Sequence, residues 1–362
     1  MHAIAWIQPT NLLRPIEHAR SRHERPSSLI CRLSAEGVDG YGESVVRICG
    51  PDQDMDAVCR DAERLAESIA RGKNSIQPDH ALLSPLAQPA LMALCAAEMS
   101  ALDLMSRSAG VSLLSFLNIE PINEFIVSPV VPLTDPLQSA RTAAMFSKTC
   151  RGTVKVKARA SDGFDWLERM LDVYRRIDPN PSSKRLRLDF NQSMPRGDAA
   201  LCEKVVKSMG VPIAAIEEAT PDLDIETAER LSLACDTLYF FDESCTSFSD
   251  IEVLCRRENP RVGVNIRISK MGGLRRSLAA LEKCASSGIP LGIGCHTGEH
   301  SALSRAWLAL ASAANQVSHF FEGCYGTHVI QDDAFTPCLS VGADGRIVDL
   351  YDYHGLGVQA SR

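Results

Sequence analysis

RLRLDF (residues 185–190), VPIAAIEEA (211–219) and TLYFFDES (237–244) each end an apolar run on an acidic residue. The three acids, Asp189, Glu217 and Asp242, stand 28 and 25 residues apart. Eight strand–helix units in about 250 residues repeat roughly every 30. The spacing therefore predicts three successive parallel strands whose C-terminal ends carry carboxylates at one mouth of a barrel. Upstream, GTVKVKAR (152–159) places Lys155 and Lys157 near a strand end and on one face, because strand side chains alternate. Downstream, VGVNIRISKMGG (262–273) carries Arg267, PLGIGCHTGEH (290–300) carries His296 and SHFFEG (318–323) carries Glu322. Helical patterns fill the intervals: FDWLERMLDVYRRI (164–177), AALCEKVVKSM (199–209) and LRRSLAALEKCASSG (274–288). Counting from FIVSPVVPL (125–133), eight short apolar runs precede Gly323. The expected fold is α/β, a closed (β/α)8 parallel barrel.

Buried carboxylates that converge without compensation are costly. Asp189, Glu217 and Asp242 are accordingly read as ligands of a hard divalent cation with oxygen donors, Mg²⁺ first and Mn²⁺ as a substitute. Taken singly, an acid after a strand is usually a helix N-cap; the regular spacing and the KVK piece one unit earlier favour the metal reading. Glu218 and Glu243 fall on the opposite side by strand alternation and are assigned supporting roles. Gly272–Gly273 reads as a backbone turn before a helix rather than a phosphate cradle, and Lys270 as structural.

Seven pieces of the chain, in order, resemble the enolase superfamily in its muconate-lactonising and mandelate-racemase-like branch. They are GYGES (40–44), MSALDLMSRSAGVSLLSFL (99–117), KVK (155–157), DFN (189–191), EEA (217–219), DES (242–244) and NIRISKMGG (265–273). Ala219 stands where the branch usually has proline, and Arg267 where it has a catalytic lysine. The resemblance implies an N-terminal α+β capping domain over residues 1–123, a barrel over 124–323, and a segment over 324–362 that packs back on the cap. It also implies an enzyme that removes a proton alpha to a carboxylate through a metal-stabilised enolate. Lys157 would be the base and Lys155 the neighbour that lowers its pKa and binds the substrate carboxylate. Asn191 and Glu322 would face the substrate. A homo-oligomer is expected from the same source.

A guanidinium is always protonated, so Arg267 cannot be a second base. One-base chemistry is the favoured expectation: a lyase reaction such as dehydration, or ring opening or closure of the cycloisomerase type. The alternatives are a racemase or epimerase using Lys157 and His296, and a noncatalytic relative that binds a carboxylate or serves as a scaffold. In the family's dipeptide epimerases a paired-aspartate motif stands where this chain has Glu322–Gly323–Cys324, which counts against a dipeptide substrate. In the loop TNLLRPIEHARSRHERPSS (10–28), Arg20 and Arg22, with Arg14, His23 and Arg25 nearby, would suit a second anionic group on the substrate.

Hydrophobic content of 45% and charged content of 23% are those of an ordinary globular chain. A net charge of −7 offers nothing to nucleic acid. The apolar runs are expected to be too short to span a membrane. Thirteen scattered cysteines, with no CxxC pair, fit a reducing, cytoplasmic setting. Cys295 and Cys324 are read as packing residues.

Overall fold

The computed structural model describes residues 1–19, 21–46, 54–72, 87–179, 186–257, 259–347 and 353–361. Near the N-terminus, β1 (His2–Pro9), β4 (Ser27–Ala35) and β5 (Val38–Val45) form an antiparallel sheet in the order β1-β4-β5. The loop between β1 and β4 folds into a small hairpin of β2 (Ile16–His18) and β3 (Ser21–His23). Two helices cover the sheet. The first, α1 (Met55–Ala70), begins where Asp54 accepts from the Ala57 N–H. The second, α2 (Gln88–Ser108), lies directly on β5. The glycines of GYGES make this approach possible: a Cβ on Gly42 would sit 2.0 Å from the Ala96 carbonyl oxygen of α2. By length and composition Pro89–Ser108 passes for a membrane span, contrary to the expectation from run length, yet 83% of that window is buried against the protein's own core.

A short α3 (Leu113–Phe116) and β6 (Phe125–Ile126) lead into the barrel. Its strands are β7 (Val130–Val131), β8 (Val154–Lys157), β9 (Leu186–Asp189), β10 (Ile213–Glu217), β11 (Leu238–Phe241), β12 (Val262–Ile266), β13 (Leu291–Ile293) and β14 (Ser318–Phe321). All are parallel and pair in strict sequence order. The Ser128 N–H donates to the Phe321 carbonyl at 2.7 Å and links the two edges of the curled sheet. The helices between strands are α4 (Pro136–Thr149), α5 (Asp165–Ile177), α6 (Ala199–Met209), α7 (Ile225–Ala234), α8 (Phe248–Arg257), α9 (Ile268–Met271), α10 (Leu274–Ser286) and α11 (Ser301–Ala314). Their apolar faces bury against the strands, as the 3.6-residue period requires.

The expected first barrel run is divided. Phe125–Ile126 pairs antiparallel with β16 (Arg346–Ile347), outside the barrel, and only Val130–Val131 joins the parallel sheet. Pro129 and Pro132 bracket that two-residue strand and lack the N–H groups a longer ladder would need. After β14 come α12 (Gly326–Val329), β15 (Phe335–Thr336) and β17 (Gln359–Ala360), which pairs with β15. The C-terminal stretch bonds to α2 and α3: the Leu356 N–H donates to Asp103 and the Leu113 N–H to the Gly355 carbonyl.

The Gly272–Gly273 turn is held by the protein itself. A Cβ on Gly273 would lie 2.7 Å from the Glu98 carboxylate of α2, and that carboxylate accepts from the Arg275 N–H at 2.9 Å and pairs with its guanidinium. The start of α10 is therefore occupied by an internal anion.

Candidate active site

Parallel register places the site. Lys155 lies opposite Arg187 and Lys157 opposite Asp189, so all four side chains point into the barrel. Asp189 ends β9, Glu217 ends β10 and Asp242 follows β11, each fully buried. Every one is engaged by the protein's own cations. Lys155 Nζ lies 2.9 Å from Asp189, 2.7 Å from Glu217 and 3.1 Å from Glu322. Lys157 Nζ lies 2.6 Å from the same Asp189 oxygen. Arg267 pairs with one oxygen of Asp242, and Lys270 donates to the other at 3.1 Å and to the Asn265 carbonyl. Lys270 thus has a contact that its structural reading from the sequence did not include.

These contacts fix the charges. Burial alone would lower the Lys155 pKa, but Asp189, Glu217 and Glu322 override it and hold the ammonium well above the usual range. Burial would likewise raise Asp189, and Lys155 and Lys157 hold it well below the usual carboxylate value. Lys155 is therefore a permanent cation, suited to bind a carboxylate.

Glu322 does not stand open to a substrate amine. Its oxygens are taken by Lys155 and by Arg187, whose guanidinium also stacks 3.5 Å above the Phe320 ring. Arg187 was missed in the sequence, although its position two residues before Asp189 puts it on the same inward face. Asn191 adopts a left-handed backbone, donates its main-chain N–H to Asp189 and its amide to Glu243. Glu218 has the supporting role expected of it, whereas Glu243 accepts from the Asn191 amide and lines the cavity above the strand ends instead of pointing away from it. The Glu218 carboxylate accepts from the Asp242 and Ser244 N–H groups and from Gln192, and ties three strand ends together.

Above the strand ends lies a cavity of about 1420 Å³. Lys155, Lys157, Asn191, Arg267, His296 and Glu322 line its floor, and Arg14 and Arg25 line it from the loop between β1 and β4. Neither arginine has an acidic partner among the described residues. Arg22 instead pairs with Glu24 at 3.0 Å, with its side chain 58% exposed, and does not line the cavity. Arg20 lies outside the described residues. His296 is buried; Glu299 accepts from its N–H at 2.6 Å and lies 3.3 Å from Nδ1. Burial pushes the Cys295 and Cys324 thiols well up, which suits packing residues rather than nucleophiles.

A family model described as enolase C-terminal domain-like matches residues 138–362. The chain belongs to the enolase superfamily. Within it, the hydrophobic dipeptide epimerase of Enterococcus faecalis is 25% identical over 295 residues, covering 81% of this chain and 80% of the relative. The L-Ala-D/L-Glu epimerase of Escherichia coli is 26% identical over 293 residues, covering 81% and 84%. The crystal structure of the E. faecalis dipeptide epimerase, complexed with Mg and L-Leu-L-Tyr, superposes with a TM-score of 0.80 at 22% identity, covering 99% of each chain. The barrel with its N-terminal capping domain is thus the superfamily's architecture.

The superfamily's divalent metal can be tested against the residues present. Asp189, Glu217 and Asp242 offer three carboxylates from adjacent strand ends, the donor type that a hard cation selects. Asn191 Oδ1 and Asn265 Oδ1 are, among the described residues, buried acceptors without a hydrogen-bond donor. Among the described residues no three acidic, histidine or cysteine side chains are gathered into a metal centre; Lys155, Lys157, Arg187, Arg267 and Lys270 pair with the three carboxylates instead. The donor chemistry fits; the protein's cations occupy the same oxygens.

Proposed function

We propose that the protein is a Mg²⁺-dependent racemase or epimerase acting on a small carboxylic acid that carries a second anionic group. The observation that carries this reading is the shared cavity of Lys157, at the end of the second barrel strand, and His296, after the seventh. They are two groups able to exchange protons, on different walls of one chamber. The epimerase names of the relatives favour this reading over the one-base elimination or cycloisomerisation that Arg267 alone suggested.

Asp189, Glu217 and Asp242 would hold the cation, which when bound neutralises the substrate's carboxylate oxygens. The chain's own residues do the rest. Lys155, fixed as an ammonium, donates to the substrate carboxylate. Lys157 removes or returns the α-proton on one face, and His296 does so on the other. Arg267 stays charged beside Asp242 and stabilises negative charge developing on the substrate. Arg14 and Arg25, at the rim, pair with the distal anion. Glu322, already bound by Lys155 and Arg187, supports a substrate without a free amino group at that position.

Elimination keeps one supporting observation: Arg267 follows the sixth barrel strand, four strands round from Lys157, where a two-lysine racemase would need a base. The stereochemistry of exchange separates the two readings. The protein is incubated with Mg²⁺ in D₂O and a library of N-acyl amino acids, acid sugars and unsaturated lactones. Racemisation predicts deuterium alpha to the carboxylate from both enantiomers, lost from one in Lys157→Ala and from the other in His296→Asn. Release of water or a ring-opened product, with exchange from one enantiomer only, refutes it.

A further inference from the structure

The seventh strand runs into a loop whose shape is set by one carboxylate. After Gly298, in a left-handed turn at φ +88° where a Cβ would meet Pro26 at 2.6 Å, the chain doubles back and starts α11. This brings the Glu299 Oε1 to both nitrogens on one side of His296, 2.6 Å from its main-chain N and 3.3 Å from Nδ1. Both residues are at least nine-tenths buried. The next residue, His300, is fixed from the other side: its N–H donates to Glu43 of β5, and its ring contacts Thr10 and the Ala334 N–H. Glu299 is therefore placed at the Nδ1 edge of the His296 ring, opposite the Nε2 edge.

We propose that Glu299 is the positioning residue for His296: it fixes the tautomer with hydrogen on Nδ1, so that Nε2 is the atom presented to the substrate, and it shares the proton that Nε2 takes up. This rests on the racemase reading above. In the base form Glu299 is ionised, Nδ1–H donates to it and Nε2 holds the lone pair. When the α C–H bond breaks, its electron pair stays on the substrate carbon and an N–H bond forms at Nε2. The positive charge is then opposed by Glu299, or removed by passage of the Nδ1 proton to its oxygen; the reverse steps return the proton.

The surroundings suit this exchange. Burial is the main influence on the Glu299 carboxyl; the His296 N–H opposes it, Glu43 adds to it and Arg267 opposes it, leaving the pKa at about 8. Among the described residues the other titratable neighbours are Cys295, half-buried at the cavity wall, and the buried Cys324, both thiols pushed well up by burial. The Glu299 carboxyl thus gains and loses its proton at about pH 8.

Two variants and one spectrum test the assignment. Nitrogen-15 NMR of the ring, assigned by comparison with His296→Asn, should show hydrogen on Nδ1 and none on Nε2 at pH 9. Glu299→Ala should shift the ring toward the Nε2–H tautomer and slow exchange on the His296 face by about a hundredfold, leaving the Lys157 face within about threefold. Glu299→Gln keeps the acceptor oxygen, so the tautomer should persist, while the inflection near pH 8 in the His296-face rate moves down. A wild-type ring protonated on Nε2 at pH 9, or an unchanged pH profile in Glu299→Gln, overturns the proposal. The ring spectra need no substrate, so they decide it even where no library compound exchanges and the racemase reading itself falls.

Discussion

Replacing Arg187 with methionine removes a buried cation while keeping most of its stem volume. The guanidinium lies 3.4 Å from Glu217, pairs with Glu322 and covers Phe320, with its side chain 2% exposed. Loss of one partner from a buried, hydrogen-bonded pair typically costs about 3–5 kcal/mol, because the remaining charge is left uncompensated. Proton linkage supplies a second estimate. Burial would raise the Glu322 pKa from 4.5, but Lys155, Arg187 and Arg267 bring it to about 2. At 1.36 kcal/mol per pKa unit that depression amounts to roughly 3 kcal/mol shared among the three cations. A depressed carboxyl stabilises the fold above its unfolded pKa and loses that contribution as pH falls toward its folded value. Arg187→Met should therefore cost between about 1 kcal/mol, its share of that depression, and the roughly 3–5 kcal/mol of a broken buried pair at pH 7, and progressively less between pH 4.5 and 2. Urea unfolding followed by circular dichroism at several pH values measures this. Adding Glu322→Gln to Arg187→Met should recover about 1–2 kcal/mol by removing the orphaned charge. A loss below about 1 kcal/mol at pH 7, or one that does not change from pH 5 to 2.5, would refute the reasoning.

Three further outcomes are expected. Asp242→Asn should weaken Mg²⁺ binding at least about tenfold by calorimetry; equal affinity in Asp189→Asn, Glu217→Gln and Asp242→Asn would remove the metal assignment. Gly42→Val should lower the thermal midpoint by many degrees or prevent folding, since its side chain would be driven into the α2 backbone; a midpoint within about 2 °C of wild type contradicts the packing described. Arg25→Ala should raise KM for a substrate with two anionic groups about tenfold and leave its singly charged analogue unaffected, and parallel changes for both compounds would place the second anion elsewhere.

Much of this architecture was readable along the chain. The 28- and 25-residue steps between Asp189, Glu217 and Asp242 needed only the strand–helix period, and the helices Asp165–Ile177 and Ala199–Met209 coincide with their sequence patterns. The first barrel strand was less readable. FIVSPVVPL is apolar throughout, and periodicity does not tell which part of such a run pairs with which neighbour. The loop arginines were harder still: Arg22 turned outward to Glu24 while Arg25 reached the cavity, a difference set by the hairpin of β2 and β3.

The sequence by itself determined where the charged residues stand along their strands and that they share one face, because both follow from local periods of the backbone. The seven motif pieces in order carried the resemblance to the superfamily, and the 28- and 25-residue steps placed Asp189, Glu217 and Asp242 at successive strand ends. Which charge meets which was decided only by the tertiary structure. Lys155 and Glu322 are 167 residues apart in the chain, and Arg187 and Glu322 are 135 apart; curling the sheet brings its late strands back beside the early ones. That long-range pairing engages both carboxylate oxygens of Glu322 at the floor of the cavity. By contrast, the three-residue return from His296 to Glu299 depends on Gly298 packing against Pro26 of the N-terminal loop. Ion pairs form where space and low dielectric bring groups together, and no local pattern encodes that distance.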